Sequence, residues 1–127
     1  MQVHVNRVTY FVFSLNRNCQ VTDISNSFTM QNGASGSIYA YKMGRLVYLA
    51  GDINLPTAYT SDAAFLFAIV DAAYCPNKHH FFGANIGASS LTGDPCRGHI
   101  QPNGYIQAFC KSSTSGGYRF STVYVSK

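Results

Sequence analysis

The stretch "SIYAYKMGRLVYLAGDI", residues 37–53, decides the architecture. Ile38 and Ala40 lead into Lys42-Met43-Gly44-Arg45, and beyond that knuckle Leu46, Tyr48 and Ala50 alternate with Val47, Leu49 and Gly51. Alternation on both sides of a glycine able to take positive φ is the pattern of a β-hairpin.

The same grammar extends in both directions. Residues 2–15, "QVHVNRVTYFVFSL", alternate with apolar side chains on both faces in the second half, which predicts a strand covered on two sides. Short strands are expected over 20–24 and 28–30, with a Gly/Ser loop at 32–36. Residues 54–62 read as a loop. "AAFLFAIVDAAY", residues 63–74, has the alanines of a helix, but its centre "FLFAIV" reads as a buried strand between turn-like flanks. "CPNKHH" is a connection, "FFGANI" a short strand, and the small residues of "GASSLTGDPCRG", 87–98, predict a loop. "GHIQPNGYIQAFC" is a hairpin about Asn103-Gly104, and "YRFSTVYVS", 118–126, a closing strand. Eight to ten short strands separated by polar turns predict an all-β domain, an antiparallel β-sandwich or jelly roll.

Composition narrows the function. The 127 residues suit one domain, and only 11% are charged against the roughly 25% of ordinary soluble domains. Nine Tyr and nine Phe stand beside abundant Ser, Thr, Asn, Gln and Gly, giving a surface suited to neutral polar ligands such as sugars or to subunit contacts. The net charge of +4 comes from scattered residues with no basic run, so nucleic acid is not an expected partner. No stretch approaches the roughly 20 apolar residues of a membrane-spanning helix. "RVTYFVFSL" lacks a small-residue cleavage site and reads as strand, so no classical export signal is expected.

Glu and Trp are absent. Without Glu there is no H-E-x-x-H metalloprotease motif and no Glu-dependent deaminase chemistry around "DPCRGH". A glycosidase would have to draw its two carboxylates from Asp23, Asp52, Asp62, Asp71 and Asp94, three of which sit in turn contexts where Asp bonds its own backbone. No enzyme activity and no cofactor are expected. Cys75, His79, Cys96 and His99 form a set whose spacing could close around tetrahedral Zn²⁺. A Cys75–Cys96 disulfide is a further alternative, against free buried thiols. In "NKHHFF", His79 and His80 line either a ligand site or a polar turn before a strand.

Four segments in order resemble bacteriophage receptor-binding proteins. The hairpin "IYAYKMGRLVYLAGDI" is similar to one in which a strand ending in a Lys-x-Gly knuckle leads into a Val-rich strand. "FAIVDAAYCPNKHHFFGA" places Tyr74 and Pro76 where those proteins have a Tyr-x-Pro after a Leu-Pro, though Val70-Asp71 stands near the Leu-Pro position here. "IQPNGYIQA" and "RFSTVYVS" match a later hairpin and the final strand. The resemblance covers residues 37–127. It implies a β head domain at 31–127 preceded by an N-terminal strand and neck segment at 1–30. It also implies a homotrimer at the virion tail tip, made in the host cytoplasm, contacting other tail or baseplate proteins and binding host cell-surface saccharide. The alternatives are a structural tail-tip cap without its own ligand, and a polysaccharide hydrolase.

A saccharide site needs an aromatic face for the apolar side of the ring and fixed polar groups for hydroxyls. Tyr59, Asp62, His79, His80, Asp94, Arg97, His99 and Tyr105 are the candidates, with Arg97 also offering a forked donor pair to an acidic group. Asn103 and Tyr118 are assigned to turn geometry and strand packing.

Overall fold

In the computed structural model, residues 20–56, 64–89, 92–110 and 116–127 are described. They form β1 (Val21–Asp23), β2 (Phe28–Met30), β3 (Ser35–Met43), β4 (Leu46–Leu55), β5 (Phe65–Val70), β6 (His80–Ser89), β7 (Thr92–Ile100), β8 (Tyr105–Phe109) and β9 (Gly116–Val125), with short 3₁₀ turns at Ser25–Ser27 and Ala72–Tyr74. All nine strands join one antiparallel ladder in the order β1-β3-β4-β9-β6-β7-β8-β5-β2. The all-β antiparallel architecture is the one the strand and turn pattern predicts.

The opening hairpin closes on a two-residue loop: Met43 faces Leu46 across it, and Gly44 has φ +61°. Positive φ at the first loop position alone is the signature of a II′ turn, which matches the twist of the flanking strands. The second hairpin turns on Gln101-Pro102-Asn103-Gly104. The Gly104 N–H donates to the Gln101 carbonyl at 2.8 Å, and Gly104 takes φ +94°. The Asn103 side chain accepts the Tyr105 N–H at 3.1 Å, so its role is in the turn.

The ladder curls until its ends meet. Its terminal strands β1 and β2 are joined through residues 24–27. In this link the Ile24 N–H donates to the Ala40 carbonyl at 2.9 Å, and the Ser27 carbonyl accepts the Asp71 N–H at 3.0 Å. The link thereby ties the β3 flank to the β5 flank, limiting the open edges such a sheet would otherwise present. Inside the curl, Phe67 of β5 packs its ring 5.5 Å from Tyr118 and 5.8 Å from Phe120 of β9. β5 and β9 are four steps apart in the ladder, so these rings meet only across the interior. Ala40, Val47, Leu49, Ile53, Ile100 and Ile106 complete the buried face, each fully covered. Their alternation with exposed neighbours leaves a second face of the sheet pointing outward.

Two expectations change. Residues 87–89 and 92–98 are not a loop: they carry the end of β6 and most of β7. The Gly and Pro residues that argue for a loop enter the ladder with β6, where Asn85 faces Pro95 and Ile86 faces Asp94, and β8 pairs with β7 from Arg97 onward. The boundary at residue 30 also falls inside the ladder, since β1 and β2 pair with β3 and β5 and belong to the head. The strand expected at 2–15 lies outside the described residues.

Candidate functional site

The site is built by the period-two geometry of β6, β7 and β8. On β6, buried Phe82 and Ile86 point inward, so Phe81 must point out; its side chain is 70% exposed. On β7, buried Cys96, Gly98 and Ile100 point inward, which sends Arg97 and His99 outward. The ladder sets Phe81 opposite His99, and His99 opposite Gln107.

His99 is covered even on this outer face, because three rings and two amides crowd it. His79, Phe81 and Phe109 lie with ring centroids 5.3, 5.7 and 4.8 Å away. His99 Nε2 stands 2.6 Å from Gln107 Oε1, and Gln101 Nε2 is 3.0 Å from the same oxygen. The acceptor Oε1 calls for the proton on His99 Nε2. His79 is exposed and stacks on Phe81 at 6.0 Å with the planes 19° apart. Tyr105, 40% exposed, stands at the neighbouring end of β8. The result is an aromatic platform bordered by two amides and an imidazole, with no carboxylate among its members.

A shallow depression of about 630 Å³ lies farther along the outer face of β4, β9, β6 and β7, lined by Asp52, Gly83, Asn85, Pro95, Arg119 and Ser121. Arg119 Nε pairs with Asp52 Oδ1 at 3.3 Å across it.

Of the predicted residues, the structure brings together His79 and His99, with Tyr105 exposed at the start of β8 and Arg97 exposed on the face of His99, opposite Gly83 and Phe109. His80 faces inward: its Nε2 lies 2.7 Å from Thr122 Oγ1, its ring is 5.8 Å from Tyr124, and burial lowers its pKa. Asp94 has the parity of buried Cys96, opposite to that of Arg97, and is exposed at the open end of β7. Tyr59 and Asp62 lie outside the described residues. Tyr118 is fully buried, as its strand packing predicts.

The zinc set does not assemble. No three of Cys75, His79, Cys96 and His99 approach one another closely enough to share an ion. His79 and His99 meet on the outer face, whereas both thiols are buried near backbone carbonyls, Cys75 by Val70 and Asp71 and Cys96 by Asp94. The Cys75–Cys96 disulfide is likewise absent: neither thiol is in a disulfide.

The fold is that seen in a phage receptor-binding protein. The receptor binding protein (gp15) of Listeria phage PSA is similar over 100% of this chain and 82% of its own, with a TM-score of 0.64 and 13% sequence identity. At that identity the likeness is one of fold. No family model matches the sequence, and no curated protein does.

Sequence reasoning looked for recognition in loops and so missed Phe81, Gln101, Gln107 and Phe109. Their signal was strand parity: in "HHFFGANI" the inward set 82, 84 and 86 leaves 81 outside.

Proposed function

We propose that this chain is the head domain of a phage receptor-binding protein, a non-enzymatic adhesin that binds a neutral host cell-surface saccharide on the outer face of β6, β7 and β8. The observation that carries the reading is the Phe81 ring, exposed and flanked by His79 and the Gln101–Gln107 pair. An aromatic face takes the apolar side of a pyranose, and amides serve its hydroxyls as both donor and acceptor. The shared fold supports the phage assignment and a place at the virion tail tip. Assembly as a homotrimer, with a jelly-roll-like head, belongs to the same reading, and would multiply a weak single-site affinity by its copies. Asp23 accepts the Ser25 N–H at 2.9 Å and Asp52 is ion-paired, which favours a binder over a hydrolase using either as its catalytic carboxylate.

The deciding experiment is titration of purified protein with a panel of bacterial wall and capsular oligosaccharides. Binding by the wild type, lost in Phe81→Ala with the fold intact, supports the adhesin. Absence of binding across the panel, together with failure of the head to compete with phage for cells, favours a structural cap.

A further inference from the structure

The outer face of β1, β3, β4 and β9 carries an uncharged band that a soluble surface does not ordinarily leave bare. One row runs Val21, Met43, Leu46 and Val125 through successive ladder pairs. The next runs Tyr41, Tyr48 and Val123, with the two tyrosine rings stacked at 6.5 Å, and Tyr39 follows on β3. Their exposures range from 39% at Tyr41 to 65% at Val21. Asp23 at the β1 flank and the Asp52–Arg119 pair farther along the strands supply a polar rim.

We infer that this band is the surface on which copies of the chain meet. Taking full side-chain areas of roughly 150–250 Å², the exposures amount to on the order of 700 Å². Single monomers seldom show a contiguous apolar patch above roughly 300–600 Å², and a standard-size interface takes about 800 Å² from each partner. Band plus rim therefore matches what a stable contact needs. Tyr and Met enriched, with Lys and Asp kept to the margin, is the composition of an interface core. A second copy is the occupant this chemistry fits, because each copy brings the same uncharged band and neither side strands a buried charge.

The inference rests on the self-assembly part of the proposed function and is tested separately from saccharide binding. Met43→Lys and Leu46→Lys, made singly, place a cation in the band away from Phe81; Thr29→Lys, at the one exposed position of β2, is the control. Light scattering and sedimentation over a wide range of concentrations read the mass, circular dichroism reads the fold, and calorimetry reads the single-site saccharide affinity. The expected result is a multimeric wild type and control, with self-association weakened by roughly a hundredfold or more in each band variant while both stay folded. A monomeric wild type, or folded band variants that keep the wild-type mass, would overturn the inference whatever the saccharide titration shows. Missing saccharide affinity alongside the expected masses overturns the ligand reading and leaves the interface standing.

Discussion

The Tyr118 hydroxyl of β9 donates to the Arg97 carbonyl of β7 at 2.8 Å, although β6 separates the two strands in the ladder. The bond spans the inner face over Gly98, where a Cβ would overlap both the Phe82 ring and Tyr118 Oη. Core packing is close enough that such overlap must be relieved by moving side chains or backbone. Gly98→Ala is expected to destabilise by about 1–3 kcal/mol and Tyr118→Phe by about 1 kcal/mol. Urea denaturation checks both: the midpoint should fall with the slope unchanged, and a Gly98→Ala midpoint equal to wild type would refute the packing argument.

Legibility in the sequence followed the range of the interaction. The 37–53 hairpin and the Asn103-Gly104 turn could be read because a local period and one glycine specify them. The 87–98 segment was misread because what makes it a strand is a register between two strands: β7 pairs along β6, with Asp94, Pro95 and Cys96 facing Ile86, Asn85 and Ala84, and that pairing outweighs the local turn composition, while β9 and β8 reach only Gly87 and Arg97–Gly98. The site divides the same way. His79 and His99 were visible as residue types, but their meeting with Phe81 and Gln107 depends on a register that single-strand patterns do not give. The zinc set failed for this reason too, since parity sends Cys96 and His99, three residues apart on one strand, to opposite faces.

Phe81 and His99 touch each other yet should respond differently to truncation. Phe81 is 70% exposed and contributes little burial. Phe81→Ala should leave stability within about 0.5 kcal/mol of wild type while abolishing saccharide binding. His99 is covered and holds the Gln101–Gln107 pair in place. His99→Ala should cost about 1–3 kcal/mol by leaving amide groups without their partner. Thermal unfolding beside calorimetric titration separates the two effects; equal losses of stability would contradict the division into platform and support.

His80 gives the fold a pH dependence of defined sign. Burial lowers its folded pKa below the ordinary 6.5, because the charged imidazolium is disfavoured beside Thr122 and Tyr124. Above 6.5 the imidazole is neutral in both states and its contribution is complete. As pH falls through 6.5 toward the folded pKa, the unfolded chain takes up the proton first and stability declines. Melting temperature should therefore drop between pH 7.5 and pH 5, and His80→Gln should flatten that interval. Asp23, whose pKa is lowered by hydrogen bonds from Ser25, acts in the same direction but only as pH falls through the carboxylate range below its ordinary 3.8. A His80→Gln profile as steep as wild type between pH 5 and pH 7.5 would remove His80 as the cause.

The three described cysteines should be chemically silent until the chain unfolds. Cys75, Cys96 and Cys110 are 2%, 8% and 3% exposed, and burial is the main cause that raises the pKa of both Cys75 and Cys96. The thiolate is the reacting species, so a covered thiol with a raised pKa has neither access nor nucleophilicity. An aromatic disulfide reagent at neutral pH should leave these three thiols unmodified in the native protein and label them at the rate of global opening in urea, with peptide mapping assigning each position. Cys75 is the sharpest case. It lies beneath the Gln101–Gly104 turn, with its sulfur 3.1 Å from where a Gly104 Cβ would sit. Gly104→Ala, strained at φ +94° and crowded by the Val70 carbonyl, should loosen that turn and expose Cys75 selectively. Its labelling should accelerate while Cys96 stays protected; equal acceleration at both sites would mean that the turn and the rest of the sheet open together.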